Sequence, residues 1–118
     1  MLLNREKSQL LVIDIQDKLL AAVSGKDRVV ERSGRLLRAA RGLGVPITIS
    51  EQYPKGLGPT VAALREAAGN AAAILEKVDF SCARNEGLRD RLHEYRRRGR
   101  PQIVIAGIEA HVLSLIHI

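Results

Sequence analysis

Two hydrophobic rhythms alternate along the chain. Four short, nearly continuous apolar runs, Gln9 to Ile15 (QLLVIDI), Val45 to Ser50 (VPITIS), Ala71 to Glu76 (AAAILE) and Gln102 to Gly107 (QIVIAG), read as strands. Runs without polar alternation belong to strands covered on both faces, which is the signature of a parallel sheet. Between them lie helical patterns. Lys26 to Leu43 places Val29, Leu36, Ala40 and Leu43 at helical spacing, with Val30 and Leu37 widening the stripe, and Gly44 follows where a left-handed cap needs no β-carbon. Thr60 to Ala68 predicts a shorter helix with Pro59 suited to its first turn, and Asn85 can cap a helix carrying Leu88, Leu92 and Tyr95. Leu19 to Val23 is a short apolar segment closed by Ser24 and Gly25, and Glu51 to Pro59 (EQYPKGLGP) predicts an irregular loop. Strands alternating with helices imply right-handed crossovers and an α/β fold.

At 118 residues and 46% hydrophobic, the chain fits one domain with ample material for a core. The net charge of +6 is concentrated in Arg84 to Arg100, where 7 Arg face 3 acids. Nucleic-acid binding usually joins such a patch to stacking aromatics, but the chain has 2 Tyr, 1 Phe and no Trp. The run therefore reads as a solvated face, with Arg96, Arg97 and Arg98 complementing a helix C-terminus. One cysteine, Cys82, excludes an internal disulfide framework and suggests a cytoplasmic protein. No apolar run reaches the ~18 residues of a membrane span, and no export signal precedes the first strand.

Open parallel sheets gather chemistry at the carboxyl ends of their strands. Here those ends carry Asp14, the Gln52 and Tyr53 loop, Lys77, and the GIEAHV segment from Gly107. An acid at a buried strand end either serves a function or caps the following turn, and both readings of Asp14 stay open. A lone Lys at a strand end is ordinarily an exposed loop residue. No GxGxxG or GK[ST] motif occurs, so nucleotide binding has no support. His93, on an exposed helix face, His111 and His117 are not spaced as a joint ligand set.

The segments LLVIDIQDKLL from Leu10, EQYPKGLGPTV from Glu51, EK with FSC from Glu76 to Cys82, and VIAGIEAHV from Val104 resemble the isochorismatase-like hydrolase family in order and spacing. The resemblance implies a three-layer αβα, Rossmann-like parallel sheet and an Asp-Lys-Cys triad. Asp14 would be the general base, with Lys77 beside it to orient it and stabilise developing charge. In amide-cleaving members a Cys attacks the carbonyl, Asp takes the thiol proton, and water releases the acyl-enzyme. A non-proline cis peptide would map to Ile108–Glu109, aiming N–H groups of Glu109 and residue 113 at an oxyanion. Gln52, Tyr53, Phe80 and His111 would contact a small-molecule substrate. No metal and no other cofactor is implied. The nicotinamidase branch places an Asp and His cluster after its second strand, whereas this chain has Gln52 and Tyr53 there.

The nucleophile belongs at position 113, and this chain has Leu113. A leucine side chain offers neither lone pair nor acidic proton, so the covalent route is closed. Cys82, off the helix N-terminus that would activate a thiol, is not expected to replace it. From the same residue the tail LSLIHI departs from the family and resembles a translated sequencing adapter. The expectation is a domain of residues 1–118 truncated after about residue 112, leaving the fourth strand with an uncovered edge. The complete parent would cleave a C–N bond in a small amide and form homo-oligomers. Hydrolysis of a vinyl ether such as isochorismate need not use the Cys. The alternative is a non-catalytic pseudoenzyme or interaction module in which Leu113 is genuine.

Overall fold

In the computed structural model, residues 4–21, 25–52, 54–77 and 86–107 are described. The four apolar runs form one parallel sheet of β1 (Ser8–Ile13), β2 (Ile47–Gln52), β3 (Ala72–Lys77) and β4 (Gln102–Gly107), in the order β3-β2-β1-β4. Every residue of β1 and β2 is buried, whereas every residue of β4 is half-buried. The position in the sheet explains the difference: β1 and β2 have a neighbour on each side, whereas among the described residues β3 and β4 are the edges.

Helices cover both faces, giving the three αβα layers. On one face, α2 (Lys26–Gly42) and α4 (Ala62–Ala68) bring Leu37, Ala40, Leu64 and Ala67 onto Leu10, Val12, Ile47 and Ile49, with Leu20 of α1 (Asp17–Ala21) alongside. On the other, Leu88 and Leu92 of α5 (Glu86–Arg97) pack on Leu11 and Ile13. Alternation along β1 supplies both cores, because successive side chains point to opposite faces.

The helices α2 and α5 return the chain to the sheet by the same device. After α2, Gly44 at φ 72° donates to Arg41 O and Val45 donates to Ala40 O; after α5, Gly99 at φ 92° donates to Arg96 O and Arg100 donates to Tyr95 O. Both are Schellman closures, in which a left-handed glycine satisfies the last helical carbonyls. Each is followed by a proline, Pro46 or Pro101, immediately ahead of a strand.

Several boundaries differ from the sequence reading. β2 runs on through Glu51 and Gln52, and the segment expected to be irregular contains a single helical turn, α3 (Pro54–Leu57). α4 begins at Ala62, because Thr60 is held in a bridge to Gln16. β1 ends at Ile13, where Asp14 leaves the extended conformation. Leu43, counted in the apolar stripe, is 50% exposed as the C-cap of α2, and His93 is half-buried. The basic run is only partly a solvated face. Arg91 donates to Thr48 Oγ1 (2.7 Å) and Ile47 O (3.1 Å), and Arg100 to Arg5 O and Ser8 O. Arg97 and Arg98 both pair with Glu94, and the hydrogen bond and charge of Arg97, joined by the charge of Arg98, hold that carboxyl below the usual glutamate range. No helix among the described residues is long and apolar enough to cross a membrane.

The packing predicts a contrast within α2. Leu37, fully buried, should lose about 2–5 kcal/mol on Leu37→Ala, whereas Leu43→Ser should stay within about 1 kcal/mol. Urea unfolding of the two variants measures this, and equal losses would contradict the assigned face.

Candidate active site at the carboxyl ends of the strands

Asp14 has φ 53°, and among the described residues it is the one non-glycine with positive φ. Asp tolerates the left-handed region better than most side chains, at a cost of order 1 kcal/mol. The turn reverses the alternation of β1. Leu11 and Ile13 face α5, so a regular strand would send Ile15 there too, yet Ile15 lies in the core under α2 and α4 with Leu10 and Val12. Asp14 is correspondingly brought to the side of Ser50, the register partner of Ile13. Ser50 donates its hydroxyl to Asp14 Oδ1 at 2.9 Å, and Asp14 N–H donates to Ser50 O at 3.1 Å. These bonds matter because Asp14 is only 5% exposed, and a buried carboxyl without donors is expensive.

Just beyond, Gln16 is fully buried and ties three pieces of backbone together. Its Oε1 accepts from Gln52 N–H at 2.7 Å, while Nε2 donates to Gln52 O at 3.0 Å and to Gly58 O at 2.6 Å. Flanking backbone bonds run from Asp17 N–H to Pro59 O and from Val61 N–H to Ile15 O. Glu51, also buried, accepts from both the N–H and the hydroxyl of Thr60 at 2.7 Å each. The segment from Pro54 to Thr60 is therefore fastened beside the Asp14 turn by one side chain just past β1, Gln16, and one on β2, Glu51.

The sheet register brings the predicted strand ends together. Ile13 is level with both Ser50 and Gly107, and Gln52 is level with Lys77. Asp14, the end of β2, the Lys77 backbone and the residue leading into GIEAHV thus share one edge of the sheet. Gln52 is buried, with its backbone held by Gln16. The Lys77 side chain lies outside the described atoms. Tyr53, Phe80, Cys82, Ile108, Glu109, His111 and Leu113 lie outside the described residues, as does the peptide expected to be cis.

Four residues were not singled out from sequence: Ser50, Glu51, Thr60 and Gln16. Ser50 and Thr60 carry no distinctive signal in a single chain. Gln16 and Glu51 do carry one, a polar side chain beside a buried strand end, but each falls just past an apolar run and has the composition of a loop residue. Among the described residues no group of three or more His, Cys, Asp or Glu side chains could hold a metal ion. The chemistry available is that of a buried, oriented carboxyl at the point where strand order reverses, β1 leading to β2 on one side and lying next to β4 on the other.

Comparison with known proteins agrees with this architecture. The chain is 37% identical over 112 residues to isochorismatase family protein 1B of Dictyostelium discoideum, covering 93% of this chain and 53% of that protein. It spans about half the length of the curated relatives it matches. Among solved structures, the MAR1 ribonuclease from Caenorhabditis elegans superposes with TM-score 0.72 at 27% identity, over 93% of this chain and 70% of that one. YcaC from Pseudomonas aeruginosa, solved with hexane-2,5-diol and covalent acrylamide, reaches TM-score 0.79 at 22% identity, over 96% and 56%. The isochorismatase domain model matches residues 8–113, from the first residue of β1 to the position after the GIEAHV segment, and the chain belongs to the isochorismatase family.

Proposed function

We propose that the carboxyl-edge site is that of a hydrolase that cleaves the C–N bond of a small amide, with Asp14 as general base and a cysteine required at position 113. The observation that carries this reading is the left-handed turn that moves the Asp14 carboxyl to the side of Ser50 and holds it there, at a cost an ordinary turn would avoid. Lys77, at the end of β3 on the far side of β2, would extend its ammonium toward that carboxyl, and Gln52, Tyr53, Phe80 and His111 would line the substrate. A thiol at position 113 would attack the amide carbonyl after passing its proton to Asp14. The tetrahedral oxyanion would be met by backbone N–H groups at Glu109 and residue 113, following a cis Ile108–Glu109 peptide. Collapse would expel the amine with the proton from Asp14, and water activated by the same carboxylate would release the acid.

In this chain Leu113 closes that route, so the chain as it stands is inactive by the thiol mechanism. Leu113 equally favours a second reading, a non-catalytic relative that keeps the fold for interaction. A cytoplasmic location and a homo-oligomer of the whole protein belong to the hydrolase reading. The Caenorhabditis elegans relative is described as a ribonuclease, but RNA is not the partner proposed here. Arg91 and Arg100 hold backbone carbonyls, and the exposed Arg97 and Arg98 share Glu94 along α5, so part of the basic run is committed to the fold.

Two outcomes check the reading. In the whole protein, Leu113→Cys should confer hydrolysis of a small amide such as nicotinamide or benzamide, and adding Asp14→Asn should lower kcat/KM by about 10²-fold or more. Hydrolysis indifferent to Asp14 would remove the proposed base, and failure of the cysteine to confer any turnover would favour the non-catalytic relative. Titration with single-stranded RNA should show no binding that weakens steeply with salt; a strong salt slope would reinstate α5 as a nucleic-acid surface.

A further inference from the structure

β2 outlasts β1. Ile13, the last residue of β1, is level with Ser50, but β2 continues to Gln52, which is 4% exposed. A strand end buried in this way leaves backbone groups on the side where its neighbour has stopped, and buried backbone groups are rarely left unpaired. The Gln16 side chain occupies that place. A primary amide presents one carbonyl oxygen and two N–H donors in a plane, so it can act as a detached peptide group. Oε1 takes the Gln52 N–H and one Nε2 hydrogen reaches Gln52 O, so one side chain makes the two bonds that two successive β1 residues, one on either side of this level, would make in a continued parallel ladder; the remaining contact is to Gly58 O.

We propose that Gln16 is a positioning residue that locks the Pro54–Pro59 loop against the Asp14 turn, so that loop and carboxyl form one preformed wall of the substrate site. The assignment of a substrate to that wall rests on the hydrolase reading above; the lock itself does not. Its three partners are all backbone atoms, so the lock is indifferent to the side chains of the loop and demanding only at position 16. Gly58 suits this arrangement, since it has φ 79° and a β-carbon there would stand 3.4 Å from Asp17 Cβ. Glu51, bonded twice to Thr60, fastens the far end of the same loop. The loop can therefore open only by hinging between two anchored ends, with Gln16 deciding whether it does.

Gln16→Glu is the sharp probe. It keeps the shape and one acceptor but replaces the doubly donating nitrogen by oxygen, setting it against Gln52 O and Gly58 O. Lys55, exposed within the loop, reports opening as a site for native-state trypsin cleavage, and Arg35 in the middle of α2 reports global unfolding. The variant should be cut at Lys55 about tenfold faster or more, with cleavage at Arg35 unchanged, and its Kd for benzamide should rise about tenfold. Unchanged cleavage at Lys55, or equal acceleration at both sites, overturns the lock. Should the variant fail to fold, amide exchange in the unaltered chain decides: exchange of Gln52 N–H about 100-fold or more below the unprotected rate supports the lock, and unprotected exchange overturns it. If the cleavage pattern holds while the unaltered chain does not bind benzamide, the lock stands and the small-amide reading falls.

Discussion

The burial of backbone polar groups where β1 stops short of β2 is the constraint on which the candidate site depends. A parallel sheet covered on both faces cannot hand its strand ends to water, so every N–H and C=O at that edge needs a partner from the protein. Here the partners are the Asp14 N–H on Ser50 O and the Gln16 amide on both backbone groups of Gln52. The same solution that satisfies the backbone also turns Asp14 toward Ser50 and fastens the following loop beside it. Site geometry is thus a by-product of closing the sheet edge.

That edge holds its shape because the strands beneath it are clamped from both sides. α2 and α4 press on Leu10, Val12, Ile47 and Ile49, while α5 presses on Leu11 and Ile13. The paired Schellman closures at Gly44 and Gly99 then deliver the chain to the amino ends of β2 and β4, opposite the site. Arg91 adds a lateral tie from α5 to Thr48 and Ile47, so a residue in an apparently surplus basic run helps hold the central sheet. Separation of tasks follows: the amino edge carries helix returns, the carboxyl edge carries the candidate chemistry.

The four strands, the two long helices and the position of Asp14 were legible because their signals are periodic or are placed at the end of a run. Apolar continuity marks β1 and β4 directly, and the Leu88, Leu92 spacing marks the buried face of α5. What was not legible depends on pairings between distant residues. Glu51 and Gln52 look like loop residues until Thr60 and Gln16 are seen to satisfy them. Ser50 looks like the polar end of a strand until Asp14 is seen to reverse its direction. Leu43 has helical spacing but falls on the cap, where the chain has already begun to turn away from the core. Polar side chains used inside the fold carry no period, so a pattern of hydrophobicity passes over them.

If Asp14 is the general base, its carboxyl, turned to the α5 side of the sheet, must face the substrate. A crystal structure of the whole protein with bound benzamide tests it most directly. A left-handed Asp14 is expected, with Ser50 on Oδ1 and the probe's carboxamide carbon within about 4 Å of the carboxyl or its nitrogen bonded to the carboxyl at about 3 Å. Benzamide bound away from this edge, or an extended Asp14 with Ile15 on the α5 side, would contradict it.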